Sequence, residues 1–345
     1  MLHYLITNRQ ILVDKKGKEY INEDGIDTAG EENETIRFAV FDSEKFKKTK
    51  RCRSAITLLP ETVNETILNI PSTDEGDIMC FIHGFHTDLK GIMNDMCSLE
   101  KKYIHSESPI KFIVGLTWPA RKSFLHYRDD AKDAENSGYT FARCYNLITD
   151  FLKLFTCSCN DNVHCKNVHL LAHSMGNRML ENMMHYLSSR TDISLTPLFK
   201  EVILAAADAD WQVFEDPRAF AKLANVCDRI TVYHHADDIA LMLSETAQHK
   251  HKRLGKFGFR DIEKISGNVF SVDCSDINDQ HGLQSKLIQH WYHQDSDVTV
   301  NDIIQVFKGK HVNDFVSESL RVNMPNDQRR FRLNIPRNYL YLLYC

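Results

Sequence analysis

Residues 170–178 read Leu170-Leu171-Ala172-His173-Ser174-Met175-Gly176-Asn177-Arg178. An apolar run ends in a small-x-Ser-x-Gly turn, and a helix-forming stretch follows at once. This is the local pattern of a nucleophile elbow, a strand-to-helix reversal so sharp that the serine is held strained. Small residues two before and two after it keep strand and helix from colliding. Ala172 and Gly176 occupy those two positions. Five residues of this kind recur by chance, so the surroundings have to decide.

Working outward, short runs apolar on both faces alternate with longer amphipathic stretches. The runs are Asp77 to His83, Lys111 to Thr117, Asn167 to Ala172, Glu201 to Ala207, Arg229 to His234 and Asn268 to Cys274. Such runs suit parallel strands covered by helices on each side. Helices are predicted over Asp88 to Ile104, Asp133 to Phe155, Arg178 to Ser188, Pro217 to Ala224, from Ile239 onward, and Val298 to Lys308. Thr35 to Asp42 and Ala55 to Leu59 read as early strands, an antiparallel edge. The alternation predicts an α/β fold with a doubly wound, mostly parallel sheet and helices on both faces. Ligands bind such sheets beyond the carboxyl ends of the strands. We expect one domain over residues 1–310, with its core at about 75–305 and edge strands within 1–74. Residues 311–345 are expected to form an extension docked on it, because the run Tyr339 to Tyr344 would expose too much apolar surface as a free tail.

Composition narrows the function classes. The 345 residues are 43% hydrophobic and 26% charged, with net charge -5, the balance of an ordinary globular protein and a poor one for holding nucleic acid. The basic run His249 to Arg260 reads as a solvated loop. No apolar stretch is long enough to span a membrane and no export signal opens the chain, so a soluble, cytoplasmic protein is expected. Ten cysteines in a chain this long read as reduced thiols. The group Cys157, Cys159, His164 and Cys165 matches no strong zinc spacing, and neither a metal nor another cofactor is expected.

The polar groups that ester hydrolysis requires fall just past strand ends. Ser174 is the candidate nucleophile, and it needs a base oriented by an acid, in chain order serine, acid, histidine. Asp238 is the preferred acid, with Asp237 and Asp208 as rivals. His290 is preferred as base over His281 and His293, because the aromatic neighbours Trp291 and Tyr292 can fix its ring. An oxyanion needs preorganised N–H donors. The backbones of Met175 and of Phe85, after His83-Gly84, are the candidates. His83, Gly84, Trp118 and Tyr127 are candidate pocket residues, with Phe124 nearby.

His83-Gly84-Phe85, Thr117 to Ala120, Tyr127 to Asp130, Leu171 to Asn177, Ala206 to Asp208, Asp238 to Leu241 and His290 to Tyr292 occur in that order. In these segments, over roughly residues 75 to 305, the chain resembles a mainly bacterial group of α/β hydrolases catalogued as a domain of unknown function. The resemblance implies an α/β-hydrolase fold and a Ser174, Asp238, His290 triad. His234-His235-Ala236 stands where that group usually has small hydroxyl-bearing residues, and the C-terminal extension has no counterpart there. The expected activity is cleavage of a small-molecule or lipid carboxylic ester. A thioesterase or peptidase on the same groups, or a non-catalytic binding protein on the same fold, are the alternatives.

Overall fold

The computed structural model describes residues 1–23, 35–60, 76–121, 126–156, 167–190, 195, 197–246, 251–325 and 327–334. Its strands are β1 (Leu2–Thr7), β2 (Ile11–Val13), β3 (Glu19–Ile21), β4 (Arg37–Asp42), β5 (Ile56–Leu58), β6 (Asp77–Ile82), β7 (Ile110–Thr117), β8 (Val168–His173), β9 (Phe199–Ala205), β10 (Cys227–His234), β11 (Val269–Asp273), β12 (Arg321–Asn323) and β13 (Arg330–Leu333). Eleven of these form one sheet in the order β12-β13-β11-β10-β9-β8-β6-β7-β1-β4-β5, and β2 and β3 form a separate hairpin. The pairings from β1 across to β13 are parallel. Only the rim pairings of β4, β5 and β12 are antiparallel.

Helices cover both faces, and β6 shows why the sequence demands this. Ile78, Cys80 and Ile82 enter one core cluster, while Met79 and Phe81 enter the other. A strand buried on both sides has no polar face to alternate with, hence its unbroken apolar run. The first cluster packs beneath α3 (Tyr127–Arg143), α4 (Tyr145–Thr156) and α5 (Gly176–Ser189), after α1 (Ser43–Thr49) and α2 (Leu89–Tyr103) in the chain. The second packs against α2 and α9 (Asp297–Phe307), which comes after α6 (Ala219–Leu223), α7 (Ile239–Ser244) and α8 (Leu283–Ile288).

The winding places a switch point between β6 and β8. From β6 the chain steps outward to β7, then returns to the other side of β6 to lay down β8, β9, β10 and β11 in turn. Ile82 is paired with Ala172 across that junction. A crevice opens at such a point beyond the carboxyl ends, so the loops after residues 82 and 173 meet there.

Three expectations need correcting. The stretch Asp133 to Phe155 is two helices, α3 and α4, interrupted at Cys144. The break lets both segments keep one apolar side on the same core, since Phe141, Tyr145, Ile148, Phe151 and Leu152 are all buried in a single cluster. The basic run is not simply a solvated loop, because Arg253 is buried and ion-paired with Asp208. The N-terminus is also a full member of the sheet, as β1 lies between β7 and β4. The Cys157, Cys159, His164 and Cys165 group, Phe124 and the run Tyr339 to Tyr344 lie outside the described residues.

Candidate active site

Ser174 stands between β8 and α5 with φ 52°, the left-handed region that a residue with a side chain enters only under constraint. The constraint is visible. Its N–H donates to Ala205 O at 3.0 Å, and its carbonyl accepts from Asn177 N at 3.0 Å, Asp208 N at 3.1 Å and Asn177 Nδ2 at 3.1 Å. Asn177 Nδ2 also donates to Ala172 O at 3.0 Å, closing the turn on itself. Gly176 is required by a close approach, because a Cβ there would lie 2.5 Å from His83 O and 2.8 Å from Ile82 O. Gly84 is required likewise, since its Cβ would fall 2.8 Å from the Cβ of Ser174. The two loops at the switch point are therefore in contact through glycines, and Ser174 itself is only 6% exposed.

Asp238 caps the N-terminus of α7, accepting from Leu241 N at 2.9 Å through Oδ1. Its other oxygen, Oδ2, lies 2.7 Å from His290 Nδ1, and both residues are buried. An ionised carboxylate only accepts, so the imidazole carries its proton on Nδ1 and leaves Nε2 with a free lone pair. Trp291 meets the His290 ring edge-on at 5.4 Å. Tyr292 anchors the segment, its hydroxyl donating to Tyr233 O at 2.8 Å and accepting from Ala206 N at 2.8 Å.

The rival residues have other occupations. Asp208 accepts from Tyr127 Oη at 2.5 Å and Ser244 Oγ at 2.6 Å, and faces Arg253 Nε at 3.3 Å and Arg178 Nη2 at 3.8 Å. Burial works against its charge, but the guanidiniums of Arg178 and Arg253 and the two hydroxyls outweigh that and hold its pKa below the ordinary value. Asp237 is exposed on the turn before α7. His281 is mostly exposed and pairs with Asp297 at 3.1 Å. His293 is buried, and burial together with neighbouring His290 lowers its pKa to about 3.

His83 and Trp118 are not walls of an open pocket, since both are fully buried. Their rings stack at 5.1 Å and 6°, and Trp118 Nε1 donates to His83 O at 3.1 Å. Trp118 N donates to His83 Nε2 at 3.2 Å, which makes Nε2 the acceptor and places the proton on Nδ1. That Nδ1 then donates to Gly84 O at 2.9 Å. Burial, helped by the charge of Arg9, lowers the His83 pKa to about 3 and keeps the ring neutral. In a planar trans peptide the C=O and the following N–H point opposite ways, so drawing Gly84 O toward His83 turns Phe85 N–H away from it. Met175 lies at the N-cap of α5, where the first N–H groups have no intrahelical partner. Phe85 and Tyr127 are half-buried and meet edge-to-face at 5.1 Å.

One member of this neighbourhood escaped the reading of motifs. His173, next to Ser174, has its ring 4.8 Å from that of His290 and 4.2 Å from that of His293. Its Nε2 donates to His290 O at 3.2 Å. Burial, with His293 and His290 beside it, lowers its pKa well below the usual value. The only available signal was its place before the serine, which by itself distinguishes it little from a core residue.

The sheet order agrees with a match along the sequence: residues 61–307 fit the model of a family described as alpha/beta hydrolase of unknown function (DUF900). The chain belongs to that family. Membership gives the DUF900 chain its class, an α/β hydrolase, and leaves open the bond it cleaves. No curated protein matches it. Among solved structures it is similar to a "putative hydrolase" from Legionella pneumophila subsp. pneumophila str. Philadelphia 1. The identity is 10%, the TM-score is 0.38, and 87% of this chain and 86% of that chain are covered. Among the described residues no helix is long and apolar enough to cross a membrane.

Proposed function

We propose that this DUF900 protein is a serine hydrolase that cleaves a carboxylic ester through an acyl-enzyme on Ser174. The observation that carries the reading is the buried 2.7 Å contact between Asp238 Oδ2 and His290 Nδ1, which presents a lone pair on Nε2. In the proposed cycle Nε2 takes the Ser174 hydroxyl proton as Oγ bonds to the ester carbonyl carbon. Asp238 stabilises the imidazolium, and the N–H groups of Met175 and Phe85 meet the oxyanion. His290 then returns the proton to the departing alcohol oxygen, the C–O bond breaks, and water repeats the sequence on the acyl-enzyme.

His83 supports the reading from the other side of the crevice, because its bond to Gly84 O sets the direction of the Phe85 N–H. The test is labelling with a fluorophosphonate probe. Wild-type protein should label, and Ser174→Ala should abolish both labelling and turnover of p-nitrophenyl esters, by roughly 10³-fold or more. A folded wild-type chain that neither labels nor turns over any ester would instead favour a binding protein on this fold.

A further inference from the structure

The segment that delivers the proposed base is held under strain. Gln289, directly before His290, has φ 57°, a left-handed conformation that a residue with a side chain keeps only where its surroundings enforce it. It turns the chain out of α8 toward the crevice, and the residues that follow are pinned from elsewhere in the fold. Tyr103 Oη donates to His293 O at 2.5 Å, and Tyr292 Oη reaches Tyr233 O and Ala206 N. Asp238 holds the His290 ring. The His290 carbonyl accepts from His173 Nε2 at 3.2 Å. Of these partners His173 is the one bonded in sequence to Ser174, so it alone among them ties the base directly to the nucleophile.

The His173 ring fills the place where three parts of the site meet. Its Nε2 faces a carbonyl, which only accepts, so the proton sits on Nε2 and Nδ1 is bare. That bare edge lies against the loop after β6, since a Cβ built on Gly84 would come 3.2 Å from His173 Nδ1. The rings of His293 and His290 stand 4.2 Å and 4.8 Å away, and all three histidines are buried. Burial, with His293 and His290 beside it, keeps His173 neutral. A neutral ring can stand this close to His290 without opposing the positive charge that His290 gains when it takes the Ser174 proton.

We infer that His173 is a positioning residue whose ring, wedged between the loop after β6 and His290, sets the separation of base and nucleophile by donating Nε2–H to the His290 carbonyl. It touches neither substrate nor reacting atoms and acts through His290. The inference rests on the serine-hydrolase reading for its effect on rate, but not for its effect on where His290 stands.

The experiment compares three substitutions that separate shape from donor. In His173→Gln the amide nitrogen reaches about as far as imidazole Nε2 and still donates. In His173→Asn it reaches only as far as Nδ1, and in His173→Phe the ring is kept and the donor is gone. Each variant is assayed at a temperature where urea unfolding shows it folded, with two readouts. One is hydrolysis of a soluble short-chain p-nitrophenyl ester, and the other is the downfield proton resonance of the His290 Nδ1–H shared with Asp238, which needs no turnover. His173→Phe and His173→Asn should lower kcat about 10²-fold with KM changed by less than about threefold, and should shift or broaden the resonance. His173→Gln should keep kcat within about threefold of wild type and leave the resonance in place. Wild-type kcat in folded His173→Phe overturns the inference. So does a His173→Gln protein as slow as His173→Asn, a comparison that holds even if the phenylalanine variant does not fold. A wild-type chain that neither labels with the fluorophosphonate nor cleaves ester, yet shows the expected resonance pattern across the variants, would end the esterase reading and leave the positioning role. Labelling and turnover that survive unchanged in all three variants would do the reverse.

Discussion

At the scale of single residues the sharpest question is which carboxylate serves the proposed base, and the two candidates differ in what they hold. Asp238 divides its oxygens between a helix cap and His290. Asp238→Asn can keep the cap, since an amide oxygen accepts from Leu241 N as the carboxylate does, while losing the charge that faces the imidazole. The expected result is a fall in kcat of about 10³ to 10⁴ with little change in thermal midpoint. Asp208 neutralises Arg178 and Arg253 in a buried cluster. Asp208→Asn strands the buried Arg253 guanidinium and leaves Arg178 with Glu135, 3.4 Å away, so it should cost about 3–5 kcal/mol of stability, read as an earlier midpoint in urea. If kcat collapses in the Asp208 variant at a temperature where it remains folded, and survives in the Asp238 variant, the assignment of the acid is reversed.

At the scale of elements, the site depends on how closely the turn after β6 approaches the turn after β8. Gly84→Ala places a methyl group 2.8 Å from the Ser174 Cβ, below any normal contact, so one loop has to retreat. Since the Gly84 carbonyl is held by His83 and the elbow by four backbone contacts, the retreat should displace Phe85 N–H. The expectation is a kcat loss of about 10²-fold or more with KM for a short ester changed much less. Unchanged kcat in a folded Gly84→Ala protein would show that this loop takes no part in the chemistry.

The same elements show what a sequence discloses. The β6 to β11 run was legible because parallel strands buried on both faces spell continuous apolar stretches, and the elbow because its small residues are sterically compelled. The slot filled by β1 was not legible, since its neighbours β7 and β4 are remote in sequence and Leu2–Thr7 carries a histidine. That His3 is buried against Glu100 at 2.8 Å, a partner no local pattern announces. The break at Cys144 has no proline or glycine to mark it. His290 could be preferred among its neighbours, but the side chain facing Asp238 is a tertiary fact.

For the whole molecule, the consequence of packing so many histidines inside is a dependence of stability on pH. Burial, the largest cause in each case, lowers His83 and His293 to about 3, His234 to about 4, and His173 well below its usual value. In the unfolded chain each titrates at about 6.5. Below that pH the unfolded state therefore binds protons that the folded state refuses, and stability is present above about 6.5 and lost on acidification. Buried carboxyls oppose this, three of them strongly. Burial raises Asp95 and Glu181 to about 7 and Asp130 to about 6, so the folded state holds protons there that the unfolded state has released. Four histidines against three carboxyls leave an excess of roughly one proton on the unfolded side between about pH 5 and 6. That corresponds to a loss of about 1.4 kcal/mol per pH unit, to which the lowered His3, His169 and His235 add in the same direction and from which the raised Glu201 and Asp295 subtract. Urea midpoints measured from pH 7.5 down to 5 should be nearly flat at first and then fall, with the denaturant slope unchanged. A midpoint that holds steady or rises to pH 5 would mean that these buried rings accept protons in the folded state.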